Sequence, residues 1–99
     1  MKIKHMAIFS LKYDLDAPET SKFLEDGKEI LSSIPTVENF EVVYQISPKT
    51  DFNFGFSMEF TDKAAYEAYN NHPMHIHFVK ERWEKEVERF QEIDFQAYT

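Results

Sequence analysis

The sequence predicts an α+β domain in which a four-stranded antiparallel sheet carries helices on one face. Three observations predict it. Apolar residues alternate with period 2 in four separated stretches. Helical periodicity fills the gap after the first stretch and the gap before the last. The two middle stretches are joined by a short turn-like segment, as in a hairpin.

Residues 2–12, KIKHMAIFSLK, form the first stretch. Odd positions carry Ile3, His5, Ala7, Phe9 and Leu11; even positions carry Lys2, Lys4, Met6, Ile8, Ser10 and Lys12. A centre that is apolar on both faces belongs to a strand covered above and below, so His5 is expected to point into an interior.

A helix follows. Asp16 with Glu19 three residues on reads as a capping box, and Pro18 suits a first helical turn. Phe23, Leu24, Ile30, Leu31 and Ile34 recur at helical spacing with Gly27 on the same stripe, and Pro35 ends the element. The glycine costs about 1 kcal/mol of helix propensity, and close approach to a sheet is what it offers in return.

Residues 37–47 alternate again, with Phe40, Val42, Tyr44 and Ile46 on one face. Residues 48–51 are turn-like. Residues 52–60 form the strongest strand, with Phe52, Phe54, Phe56, Met58 and Phe60 on one side. Thr61 or Asp62 then caps a second helix beginning Lys63-Ala64-Ala65, with Ala65, Tyr66 and Tyr69 facing inward. Pro73 breaks or restarts it. A helical stripe resumes after Met74 at Ile76, Val79, Trp83 and Val87, with Lys80, Glu81, Glu84, Lys85, Glu88 and Arg89 as its wet face. Residues 90–98 return to alternation as Ile93, Phe95 and Ala97. The order β-α-β-β-α-β is the ferredoxin-like split βαβ arrangement.

That arrangement leaves one face of the sheet bare, and the composition predicts a face rich in Phe and other apolar groups. Such a patch is a binding surface or a subunit interface. Two sheets packed face to face close a barrel with two-fold symmetry, so a homodimer is expected.

The 99 residues have room for one domain, spanning residues 1–99. A net charge of −7 provides no broad basic surface, which argues against nucleic acid and against an anionic membrane as partners. With no cysteine there is neither a disulfide nor a thiolate zinc site. The N-terminus is too often interrupted by charge for a signal peptide, and no stretch approaches the ~20 apolar residues of a membrane span. The cytoplasm is the expected location.

Three of the four histidines lie in Tyr69-Asn70-Asn71-His72-Pro73-Met74-His75-Ile76-His77-Phe78. His72 and His75 are three apart and can share a helical face, but His77 would point elsewhere, so no metal site is expected. His72 reads as a terminator of the short helix and His77 as a solvated residue. His75 either contributes to a site or bonds backbone groups left unpaired by Pro73. Tyr66 and Trp83 read as core, and Asp94 as a hydrogen-bond acceptor near the barrel seam.

The N-terminal KHMAIFSLK, the run Phe60-Thr61-Asp62…Tyr66…Tyr69-Asn70-Asn71-His72-Pro73-Met74-His75…Phe78, and the closing Trp83…Phe90…Ile93-Asp94-Phe95 resemble the stress-responsive dimeric α/β-barrel (Dabb) family over residues 2–98. The most specific part is His-Pro-x-His after a short helix, together with Lys4-His5. The resemblance implies a dimer joined through the sheets and a cavity between sheet and helices. The family includes a plant polyketide cyclase that closes a ring without a cofactor; its acid–base histidine and tyrosine would fall on His75 and Tyr69. Its early histidine matches His5. Its cavity histidine on the third strand has no counterpart, because Phe54 stands there.

On this basis His5, Phe9, Phe54, Tyr66 and Phe78 are expected to line a cavity for a small apolar or aromatic molecule, with no cofactor. Two alternatives stand beside ligand binding. One is a cofactor-independent cyclase or isomerase in which His75 is the base and Tyr69 the proton donor, a match to imidazole and phenol pKa values of ~6.5 and ~10. The other is a non-catalytic structural stress protein whose cavity is plugged by side chains such as Phe54.

Overall fold

In the computed structural model, which describes residues 1–99, strand β1 (Ile3–Leu11) is followed by helix α1 (Pro18–Ser32) and strands β2 (Glu38–Tyr44) and β3 (Phe54–Phe60). Helices α2 (Lys63–Asn70) and α3 (Pro73–Phe78) come next. A π-helical turn (Val79–Trp83) and a short helical segment (Glu84–Glu86) then lead into strand β4 (Val87–Gln96). The strands lie in the order β2-β3-β1-β4, and every neighbouring pair is antiparallel. This is the ferredoxin-like fold that the alternation predicts. No helix is long and apolar enough to cross a membrane.

The β1–β3 register pairs Ile3 with Phe60, His5 with Met58, Ala7 with Phe56 and Phe9 with Phe54. Paired residues share a face, so the four large β3 side chains lie under the helices and are buried there. The expectation of a Phe-rich uncovered face is corrected by this register. The uncovered side carries Met6, Ile8, Val43, Ile93 and Phe95, interspersed with Gly55, Ser57, Lys4 and Glu59. Alternation shows that the phenylalanines share a side; only their pairing with β1 and their packing against α1 shows which side.

Helix α1 lays Thr20, Phe23, Gly27 and Leu31 on the sheet. Gly27 makes this approach possible: a Cβ there would lie 2.6 Å from Phe56 Cζ. The Phe23 and Phe56 rings stack with centroids 6.1 Å apart. The predicted Asp16 cap does not form. Ala17 holds the cap position with Pro18 in the first turn, and Thr20 Oγ1 donates to the Asp14 carbonyl at 2.7 Å instead. In β2 a register shift occurs between Glu38 and Glu41, and Asn39 takes a left-handed φ of 51° there, a conformation Asn tolerates well. Tyr44 and Ile46, expected on an apolar face, are exposed.

The second half departs most from the predicted stripe. Ile76 is exposed while Phe78 is buried, and Val87 opens β4 instead of closing a helix. The π-helical turn explains the difference, because its wider winding breaks the 3.6-residue period on which the stripe was counted.

Candidate functional site

A cavity of about 560 Å³ lies between the helix-facing side of the sheet and the segment that runs from α2 to β4. Its floor is His5, Ala7, Phe56 and Met58, and its roof includes Tyr69, His75, Phe78 and Trp83. Glu84, Glu88, Phe90 and Glu92, all exposed, also line it.

Each functional side chain is held there by local structure. Asp62 caps α2 by accepting from the Ala65 N–H at 2.8 Å, and α2 then delivers Tyr69 about two turns on, where it is buried. The His72 Nδ1 accepts from the Met74 N–H at 3.1 Å, so His72 starts α3 as its cap; it is not merely a terminator of α2. Pro73 in the first turn of α3 bends the chain so that the His75 ring lies 4.3 Å from the Tyr69 ring, centroid to centroid. The His75 Nδ1 donates to the Asn70 carbonyl at 3.2 Å. A carbonyl only accepts, so this bond places the proton on Nδ1 and leaves Nε2 with its lone pair. His75 therefore bonds backbone and lines the cavity at once.

Burial sets the protonation states. Desolvation depresses the His75 pKa below the usual imidazole value, outweighing the Asn70 hydrogen bond and the pull of Glu92, and keeps the ring neutral at pH 7. Burial, reinforced by the Glu92 charge, pushes the Tyr69 phenol well above 10, so it remains an O–H donor. Tyr69 is 3% exposed and its hydroxyl makes no hydrogen bond within the protein.

His5 sits on the central strand and is buried. Its Nδ1 lies 2.5 Å from Asp94 Oδ1 and 2.9 Å from the Tyr66 hydroxyl. The same hydroxyl donates to Asp94 Oδ2 at 3.0 Å. Burial and the Asp94 carboxylate together push the Tyr66 phenol pKa far up. An ionised Asp94 accepts from both groups, which places the His5 proton on Nδ1 as well. Two imidazoles thus line one cavity, each with Nδ1 engaged and Nε2 unengaged.

Of the expected lining residues, His5 and Phe78 are at the cavity, together with Tyr69 and His75, the expected acid–base pair. Phe9 and Phe54 do not line it: both are packed into the core, with Phe9 between Phe23, Phe56 and Trp83. Phe54 lies near the end of β3 away from the histidines, so it does not plug the cavity. Tyr66 points to a separate shallow pocket with Asp94, and touches the cavity only through His5. The histidine cluster diverges: His72 caps, His75 faces the cavity and His77 is exposed, and no group of three or more His, Asp or Glu side chains is placed to share a metal ion. Trp83, Phe90 and Glu92 are lining residues that the sequence analysis did not single out as such. Alternation in β4 puts Phe90, Glu92 and Asp94 on one face, and this was the available signal; the register that sets them opposite Phe9, Ala7 and His5 was not.

The family model described as the stress responsive A/B barrel domain (Dabb) matches residues 3–97. The chain belongs to the Dabb family. A stress-response A/B barrel domain-containing protein of Arabidopsis thaliana is 33% identical over 79 residues, covering 76% of this chain and 68% of that protein. The crystal structure of a Dabb protein with a ferredoxin-like fold from Mesorhizobium loti is 51% identical, with a TM-score of 0.98 over 99% of this Dabb chain and 98% of the other. A dimeric ferredoxin-like protein of unknown function from Bacteroides fragilis shares the fold at 22% identity, with a TM-score of 0.74 over 97% and 96% of the two chains.

Proposed function

We propose that this Dabb protein binds a small apolar or aromatic molecule in the cavity beneath α2 and α3, as a homodimer joined through the uncovered sheet faces. One observation carries the binding reading: Tyr69, His75 and His5 converge on a cavity whose apolar walls include Phe56, Met58, Phe78 and Trp83. Ligand pockets have this composition, apolar walls with a few placed polar groups that fix orientation. Met6, Ile8, Val43, Ile93 and Phe95 on the uncovered face support the dimer, and Phe95 is 52% exposed in the single chain. The dimeric Bacteroides fragilis relative supports the same assembly.

The test is a titration of neutral monocyclic aromatic alcohols and phenols followed by amide and imidazole NMR shifts. Expected are saturable shifts at His75 and Tyr69, weakened roughly tenfold in His75→Ala and roughly threefold in Tyr69→Phe, in line with the loss of one hydrogen bond each. Probes that leave these resonances unmoved would overturn the proposal.

A second reading is favoured by the close Tyr69–His75 pair, whose ring centroids lie 4.3 Å apart. A neutral imidazole can take the proton α to a carbonyl through Nε2, and a phenol O–H can donate to the developing enolate oxygen. The pair then acts as base and acid without a cofactor. Hydrogen–deuterium exchange at the α-carbon of small aromatic ketones reads this directly. Exchange that is accelerated by the protein and lost in His75→Ala supports it; exchange that survives both His75→Ala and Tyr69→Phe removes it.

A further inference from the structure

We propose that the cavity selects its ligand by charge, taking apolar molecules that carry a protonated amine and turning away carboxylates and phosphates. The proposal rests on the ligand-binding reading above. Glu84, Glu88 and Glu92 line the cavity, and none of them has a hydrogen-bond or ion-pair partner in the protein. No lysine or arginine lines it.

Lys80 does not line the cavity, and the other cations nearby in sequence are engaged elsewhere. Arg82 pairs with Asp26 at 2.8 Å and with Glu86 at 2.5 Å, Lys85 with Glu81 at 3.0 Å, and Arg89 with Asp51 at 2.7 Å. Acidic residues elsewhere on the chain thus take up these cations, while the three at the cavity keep their charge uncompensated. Carboxylates of one sign beside low-dielectric aromatic walls concentrate a negative potential at the opening.

An independent observation points to the ligand itself. Tyr69 is 3% exposed and lines the cavity, and its hydroxyl has no partner in the protein, so its oxygen is available to accept from an ammonium N–H. Glu92 acts electrostatically on both Tyr69 and His75, which places its charge at the polar end of the cavity and not on a remote surface. Trp83 and Phe90 stand edge to face with centroids 5.5 Å apart, and both line the cavity beside these carboxylates. Aromatic faces next to anionic oxygens are the surroundings that suit an ammonium group on a ring-bearing body. An anionic ligand would meet three like charges and no cation.

Three probes with one body separate charge from shape: 2-phenylethylamine, 2-phenylethanol and phenylacetate, titrated at pH 7.5 and low salt with NMR shifts read at Tyr69, His75 and Trp83. The amine is expected to bind tightest and phenylacetate weakest, with a ratio on the order of tenfold between them that narrows in 0.5 M salt. Glu92→Gln should reduce the ratio, and the combined Glu84→Gln, Glu88→Gln, Glu92→Gln variant should bring it close to one. These side chains are exposed, so the variants keep the fold. Phenylacetate binding as tightly as the amine would overturn charge selection while leaving ligand binding intact. If none of the three shifts the cavity resonances, or if the amine shifts only outer surface residues, ligand binding and charge selection fail together.

Discussion

The Asp94 carboxylate holds Nδ1 of His5 at 2.5 Å across the β1–β4 pair, with the Tyr66 hydroxyl bonded to both. A buried imidazole on the central strand is thereby tied to an edge strand and to a helix. The arrangement leaves Nε2 as the nitrogen free to meet a ligand. At pH 8, nitrogen NMR should show His5 predominantly as the Nδ1–H tautomer. Asp94→Ala should shift it toward a mixture and cost about 1 kcal/mol in urea unfolding, modest because Asp94 is half exposed. A tautomer unchanged by that substitution would contradict the role of Asp94.

Gly27 has no room for a methyl group. A Cβ there would lie 2.6 Å from Phe56 Cζ and 3.3 Å from Phe78 Cζ, and both rings are buried. Overpacking of this kind costs about 1–3 kcal/mol, against a helix-propensity gain of about 1 kcal/mol. Gly27→Ala is expected to lower the urea midpoint, with a net loss of up to about 2 kcal/mol. A stabilised variant would show that α1 can lift from the sheet at little cost.

The depressed His75 pKa makes stability fall in acid. Above the ordinary value of ~6.5 the imidazole is neutral in both folded and unfolded chains. Below it the unfolded chain takes up the proton first, so folding is progressively disfavoured until the folded His75 protonates as well. His75→Gln should show a smaller drop in Tm between pH 8 and pH 5 than the unsubstituted protein. In the latter, the His75 ring should titrate below ~6.5 by NMR. Equal drops in the two proteins would assign the acid sensitivity to other groups.

Ile8 lies in the middle of the uncovered face on the central strand. A stable dimer through this face needs a buried area of roughly 1,600 Å² in total, and a charge at its centre would be buried without a partner. Light scattering of the unsubstituted protein should give twice the 11.8 kDa chain mass, and Ile8→Glu should give the single-chain mass with its helix content retained. An unsubstituted protein that scatters as one chain at micromolar concentration removes the dimer.

Local chemistry made much of this molecule readable in advance. The strand alternations, the β2–β3 hairpin and the Asp62 cap each depend on residues near one another in the chain, and each is found. Asp16 failed as a cap because the helix begins one residue later than the capping-box spacing requires. Ile76 and Val87 fell off the expected stripe because the π-helical turn changes the winding between them. Phe9, Phe54 and Tyr66 are expected at the cavity on the family resemblance and the apolar face of each element, which name a face but not the position along it.

From the chain alone one can read the order of the elements, the alternation of each strand, and a His-Pro-x-His segment beside Tyr69; that the Tyr69 and His75 rings meet is decided by the bend at Pro73. The partnership of Asp94 with His5, the placing of Glu92 opposite Ala7, and the line of unpaired glutamates at the cavity come from folding as a whole. They hang on the register between β1 and β4, strands more than seventy residues apart in the chain. A slip of one residue would turn every β4 side chain to the other face, and only the packing of helices, core and all four strands together selects against it.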